Sequence, residues 1–193
     1  MIYCCSDLHL GHDKPFIYEP RGAKSVKENG VIICERFRKT LTPEDDLYIL
    51  GDVLVGPGSD EYLPWLAKIP GKLHLLWGNH DTDRRKELLS NLPNVVETLG
   101  CGAMLKYKKW HFLLSHYPTL TANYDDYEKP LKARVWNLHG HTHSKDYLEF
   151  IHKGWQSYNV AVDAHNCYPI SIDQIIKDIR MYYSQYQYEM YKF

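Results

Sequence analysis

Residues 73–81, LHLLWGNHD, constrain the chain most. An apolar run that reads as a buried strand stops at Gly78 and gives way at once to Asn79, His80 and Asp81. Three ligand-capable side chains in that place are costly unless they serve chemistry. In α/β proteins chemistry sits where rigid strands open into loops. Four more apolar runs end the same way: in Asp7 and His9, in Gly51-Asp52, in Ser115-His116, and in His139-Gly140-His141-Thr142-His143.

The order of segments predicts how these ends are brought together. Residues 1–6 read as a central strand, 13–25 as a loop carrying Lys14, Arg21 and Lys24, and 26–41 as an amphipathic helix with Val31, Ile32, Cys34, Phe37 and Leu41 on its stripe. A strand at 47–50, a short helix capped by Ser59 and running to 69, the strand at 73–76 and a helix at 82–92 complete a β-α-β-α-β-α series. That series predicts a parallel sheet with right-handed crossovers. After Pro93 the runs 95–99, 103–108 and 110–114 have tight connections, which predicts antiparallel pairing.

Further strands are expected at 133–138, 147–152 and 158–162. Ser171-Ile172-Asp173-Gln174 has the form of a capping box opening a last helix, whose stripe of Ile175, Ile176, Ile179, Tyr182 or Tyr183, and Tyr186 faces the body. A docked helix accounts for Tyr188 and Tyr191 more simply than a partner surface does. The polar and aromatic segment 119–132 is long for a connection, so it reads either as a substrate lid or as a surface insertion. With no repeat or linker, 1–193 is expected to form one domain.

Composition narrows the function. A chain of 193 residues with 44% hydrophobic residues can bury a real core, and a formal net charge of −1 gives no strong nucleic-acid footprint. No run approaches a membrane span. Five cysteines without a CxxC pair point to a reduced, cytoplasmic setting, and Asp7 leaves no room for a signal peptide ahead of it.

Taken singly, each strand-end residue has an ordinary explanation as a turn or a hydrogen-bonded side chain. Taken together, Asp7, His9, Asp52, Asn79, His116, His141 and His143 form an oxygen and imidazole set suited to divalent metals, with no thiolate. On an extended backbone residues two apart face the same way, so Asp7 and His9 can face one metal together, and His141 and His143 repeat that alternation. If one carboxylate bridges, two ions each receive four protein groups. Two cations about 3.5–4 Å apart generate hydroxide at neutral pH and clamp a phosphoryl group.

DLH at 7–9, GD at 51–52, GNHD at 78–81, His116 and GHTH at 140–143 resemble, in order, the five motifs of the calcineurin-like metallophosphoesterase superfamily. SDLHLGH and NVAVD (159–163) resemble its small bacterial and phage members most closely. The resemblance implies a four-layer α/β/β/α sandwich with mixed sheets. It implies that Asp7, His9 and His143 bind one metal, that Asn79, His116 and His141 bind the second, and that Asp52 bridges. It further implies attack by a metal-bridging hydroxide on phosphorus, with His80 as general acid oriented by Asp81. Mn²⁺ is the first expectation, with Fe, Zn, Ni or Co as alternatives.

One departure shapes the substrate expectation. Residues 53–58 carry no cation where the phosphoprotein phosphatases of the superfamily place an arginine, which disfavours a protein serine/threonine phosphatase. Arg21, Arg84 and Arg85 remain as candidate phosphate contacts. A small phosphodiester, nucleotides included, is expected ahead of a phosphomonoester. The alternatives are a catalytically silent scaffold of the same fold and a nuclease. His12 and His139 border ligand motifs, and Asp163 with His165 reads as a structural turn before Pro169 ahead of a place on the rim of the same site. Oligomeric state is not legible.

Overall fold

A computed structural model describes residues 1–121 and 129–190, with side chains described up to Gln185. The centre of the expected lid, and Tyr191, lie outside the described residues. So do the side chains of Tyr186 and Tyr188. The first half runs β1 (Ile2–Cys5), α1 (Pro15–Tyr18), α2 (Val26–Thr40), β2 (Asp46–Leu50), α3 (Leu63–Leu66), β3 (Lys72–Leu76), α4 (Asp83–Ser90) and β4 (Val95–Thr98). The second half runs β5 (Gly102–Tyr107), β6 (Trp110–Ser115), β7 (Val135–His139), α5 (Glu149–His152), β8 (Ser157–Asn159), β9 (Ile170–Ser171) and α6 (Ile172–Met190).

Two mixed sheets form, as expected, with strand orders β4-β3-β2-β1-β9 and β5-β6-β7-β8. β1 reads as an unbroken apolar run because both its faces are covered. Cys5 joins Ile49 and Leu75 against Ile33 and Phe37 of α2. Its neighbour Cys4 points the other way, with Leu50 and Leu76, into a second core containing Phe112, Leu114, Trp136 and Leu138. Ile175 and Ile179 of α6 complete that core, each with no solvent exposure. Fully burying such a side chain is worth about 1.5–3 kcal/mol.

Local signals account for the two long helices. The Ser25 side chain accepts from the Glu28 N–H at the start of α2, and the Ser171 hydroxyl accepts from the Gln174 N–H at 3.2 Å at the start of α6. All five cysteines are free, with Cys101 the exposed one. No described helix is long and apolar enough to cross a membrane.

Several local expectations change. β4 is a strand, but it lies parallel to β3 in the first sheet instead of antiparallel among the later strands. The reason is α4, which supplies the crossover that parallel pairing requires. β5 and β6 are antiparallel as expected. Residues 147–152 contain α5 and no strand: Tyr147, Leu148, Phe150 and Ile151 recur at helical spacing. The expected loop at 13–25 winds into α1 and a 3₁₀ turn at Glu19–Arg21, and the helix expected from Ser59 is a 3₁₀ turn followed by the single turn of α3.

What positions the site is the direction of the strands. β1, β2 and β3 run parallel with Cys5, Ile49 and Leu75 in register, so their C-terminal ends leave one edge of the first sheet. β6 and β7 run parallel in the second sheet. The segment after β8 ties the sheets at that edge: the Val160 N–H donates to the His139 carbonyl at 2.7 Å, and the Val162 N–H to the Ser6 carbonyl at 3.1 Å.

Candidate metal centre

Beyond β1 and β2 the chain stays paired, with Asp7 N–H donating to the Gly51 carbonyl at 3.1 Å and His9 N–H to the Asp52 carbonyl at 3.0 Å. The backbone there is not extended. Asp7 (φ 59°), His9 (φ 48°), Asp52 (φ 55°), His141 (φ 70°) and His143 (φ 52°) all lie in the left-handed region. Asp7 and His9 do face one point, but coiled left-handed turns bring them there, not strand alternation. Such conformations are strained for residues with a Cβ and cluster where structure is held for function. Glycines let the loops close: a Cβ on Gly78 would stand 2.2 Å from Asp52 Oδ1, and one on Gly140 would stand 2.1 Å from Asp7 Oδ2.

All seven expected ligands converge. The Asp7 carboxylate, fully buried, accepts from the His141 N–H at 2.9 Å through Oδ2. Its Oδ1 lies 3.7 Å from His9 Nε2 and 3.8 Å from His143 Nε2. Asp52 stands between two histidines, its Oδ2 3.5 Å from His9 Nε2 and 3.4 Å from His116 Nε2. Asn79 Oδ1 closes the other side, 3.0 Å from His116 Nε2 and 3.1 Å from His141 Nδ1.

The donor chemistry of this cluster fits divalent cations. His116 Nδ1 faces the Leu50 carbonyl at 2.9 Å, so Nδ1 carries the hydrogen and Nε2 turns a lone pair toward Asp52 and Asn79. His143 Nδ1 faces an Asp163 carboxylate oxygen at 3.0 Å and likewise presents Nε2 toward Asp7. Asp7 Oδ1 and His9 Nε2 are buried with no hydrogen-bond partner. Acceptors that converge without donors leave a charge deficit that a cation fills. Asp7, His9 and His143 form one group whose ligand atoms lie within 4.8 Å of one another, and Asp7, Asp52 and His116 form another.

The electrostatics agree. Burial pushes the Asp52 carboxyl up, but the neighbouring His116 and His9 rings outweigh it and hold the group well below the usual carboxylate range. Burial also opposes ionisation of Asp7, which His9 and the charges of His116 and His143 overcome in the same direction. His9 and His116 are held above the usual imidazole value: burial works against this, and Asp52 and Asp7 prevail. The carboxylates are therefore charged at neutral pH.

His80 sits over the centre, its side chain 42% exposed and its Nε2 4.0 Å from Asp52 Oδ2. Its backbone is pinned on both sides, with the N–H donating to Asp52 Oδ1 at 2.9 Å and the carbonyl accepting from Arg85 at 2.8 Å. Asp81 does not make the expected bond to the His80 ring. Its carboxylate accepts from the backbone N–H groups of Gly78 (2.7 Å), Asp52 (2.8 Å) and Val53 (3.3 Å), bracing two ligand loops against each other.

The candidate phosphate arginines are all engaged elsewhere. Arg84 pairs with Asp60, Arg85 also donates to the Gly56 carbonyl, and Arg21 is buried against Asp163. His12, left without a role above, stacks on His9 with the two Nδ1 atoms 2.9 Å apart. Burial, then the charges of His9 and His80, push His12 down to about 4, so at neutral pH it is a neutral partner for the His9 ring. Asp163, read from the sequence as a turn residue, lies within hydrogen-bond reach of the His143 ring. Its signal, an Asp closing the NVAVD run, has no meaning until His143 is placed beside it.

A family model described as calcineurin-like phosphoesterase matches residues 1–145, which include all seven expected ligands and His80. An uncharacterized protein of Methanocaldococcus jannaschii is 26% identical over 91% of the chain and 89% of its own length. The gene 66 protein of Mycobacterium phage L5 is 29% identical over 82% of the chain and 84% of its own length. A crystal structure of a protein of unknown function from Aquifex aeolicus superposes with a TM-score of 0.69 at 27% identity, covering 92% of this chain and 98% of that one.

Proposed function

The chain belongs to the calcineurin-like phosphoesterase family, and from that premise we propose that it is a two-ion phosphodiesterase for small substrates. Membership makes it a metal-dependent hydrolase of phosphate esters. The finer reading rests on one observation: Asp52 Oδ2 lies between His9 Nε2 and His116 Nε2, 3.5 Å from one and 3.4 Å from the other. A carboxylate so placed can be shared by two ligand groups. Asp7, His9 and His143 would hold one ion, and Asn79, His116 and His141 the other, with Asp52 common to both. Divalent cations in such a cluster supply polarisation of phosphoryl oxygens and activation of water near neutral pH.

The remaining chemistry belongs to the chain. Asp7 and Asp52 stay ionised and keep the centre anionic, which favours cation loading. His80 projects from a pinned backbone into solvent at the mouth of the cluster, where an imidazole N–H can donate to a departing ester oxygen. Diesters are favoured over monoesters because none of the three nearby arginines offers a free guanidinium for the extra charge of a monoester. Mn²⁺ is proposed as the activating ion, and a nucleotide-type diester as a suitable substrate.

The test compares bis-p-nitrophenyl phosphate with p-nitrophenyl phosphate, using chelated protein resupplied with Mn²⁺, Ni²⁺, Zn²⁺ or Mg²⁺. Metal-dependent hydrolysis with the larger kcat/KM for the diester is expected. A monoester preference would overturn the substrate class. Two bound ions with no turnover on either ester would favour the scaffold alternative.

A further inference from the structure

Arg21 is 142 positions from Asp163 in the chain, yet the two form a two-pronged ion pair with side chains only 1% and 6% exposed. Nε donates to Oδ1 at 2.9 Å and Nη2 to Oδ2 at 2.8 Å. The same guanidinium donates from Nη1 to the Leu8 carbonyl at 3.0 Å and from Nη2 to the Asp7 carbonyl at 2.8 Å. On its other side Asp163 Oδ2 receives the His143 Nδ1 hydrogen at 3.0 Å. One cation therefore grips the backbone of the DLH loop and, through Asp163, the imidazole of the GHTH loop.

A buried ion pair is a weak device for stability, because desolvating both charges offsets most of their attraction. It is a strong device for geometry, since a planar fork fixes the carboxylate plane. An imidazole that donates Nδ1–H to a fixed carboxylate has one tautomer and one ring orientation. Here the Nε2 is directed at Asp7 Oδ1.

We propose that Asp163 is a positioning residue that sets the tautomer and orientation of His143, and that Arg21 fixes Asp163 against the loop carrying Asp7 and His9. This rests on the reading that Asp7, His9 and His143 hold a cation. It places part of the metal centre beyond residues 1–145, in the segment that ties the two sheets.

The test uses the full chain, stripped of metal and titrated with Co²⁺ by calorimetry and by visible absorption. Wild type, Asp163→Asn, Arg21→Lys and His143→Ala are compared, each with its metal-free melting midpoint. Wild type is expected to take up two ions. Asp163→Asn keeps the shape and drops the charge, and should weaken one ion about 10–100-fold while leaving the other unchanged. The weakened ion should be the one that His143→Ala loses, as judged by the Co²⁺ absorption that disappears. Arg21→Lys keeps a cation without the fork, so it should weaken the same ion by less, and it serves if Asp163→Asn does not fold.

A lowered metal-free midpoint with both ions at wild-type affinity would show a merely structural pair and overturn the proposal. Two ions bound at wild-type affinity in His143→Ala would instead overturn the ligand assignment on which it rests.

Discussion

The Asp52 Oδ2 atom lies 3.4 Å from His116 Nε2, while the opposite nitrogen of the same ring faces the Leu50 carbonyl at 2.9 Å. The carbonyl fixes which nitrogen holds the hydrogen, so a lone pair and a carboxylate oxygen are left facing each other. Either a proton or a cation must sit between them, and the depressed pKa of Asp52 puts that proton on the histidine when no ion is bound. The centre is thus built around a positive charge.

Asp52→Asn removes charge from the shared position and keeps the shape. Both ions should bind more weakly and turnover should fall by at least about 100-fold, the upper end of what even outer ligands cost. Metal analysis of the purified variant, together with diester hydrolysis, checks this. Wild-type stoichiometry and rate would remove Asp52 from the bridge.

His80→Ala should behave differently. The ring is 42% exposed and Asp52 already accepts from the residue's backbone N–H, so the ligand cluster survives its loss. Both ions should remain while the rate falls about 10²–10⁴-fold for esters with poor leaving groups, and far less for p-nitrophenolate. The diagnostic is the dependence of rate on leaving-group pKa, which should steepen in the variant. Parallel losses across leaving groups would count against His80 as the proton donor.

The ligand types were legible because each follows an apolar run, and three of the loops announce themselves with glycine: Gly51, Gly78 and Gly140. The backbone that presents them was not, since left-handed φ at Asp7, His9 or His143 leaves no periodicity to read. β4 was visible as a strand, but its partner was misjudged because the crossover role of α4 was overlooked. Arg21 looked like a surface cation in a basic loop. Only the fold, by turning it inward at Glu19–Arg21 and bringing Asp163 across the sheets, shows that it faces protein and not phosphate. Asp81 illustrates the reverse: a carboxylate adjacent to His80 in sequence bonds backbone N–H groups instead of the imidazole.

Gly140→Ala probes how tightly the loops are fitted. The added methyl would meet Asp7 Oδ2 and Ser6 Oγ at 2.1 Å each, too close to be absorbed by a small side-chain shift, because Asp7 is fully buried. The carboxylate or the GHTH loop must move. A loss of about 1–3 kcal/mol in stability is expected, with weaker ion binding alongside. Urea unfolding of the metal-free variant and Co²⁺ titration of the same sample separate the two effects. An unchanged midpoint with unchanged binding would mean that the loop gives way freely.

His139 sets a limit on acid stability. Its ring is fully buried, edge-on to Phe150, with Nδ1 donating to the Gly140 carbonyl at 2.9 Å, and burial pushes it down to about 4. The unfolded chain takes up this proton near pH 6.5, whereas the native state holds it off until about 4. Above the upper value both states are neutral and the native preference is fully present. As pH falls through the window the unfolded state binds the proton first, and up to about 3 kcal/mol of stability is lost. Replacing the ring by one that cannot titrate, His139→Phe, should flatten this part of the profile between pH 6.5 and 4 while leaving the lower carboxylate limb in place. Denaturant midpoints of the metal-free proteins at half-unit pH steps make the comparison, and superimposable slopes would assign the acid sensitivity to other groups.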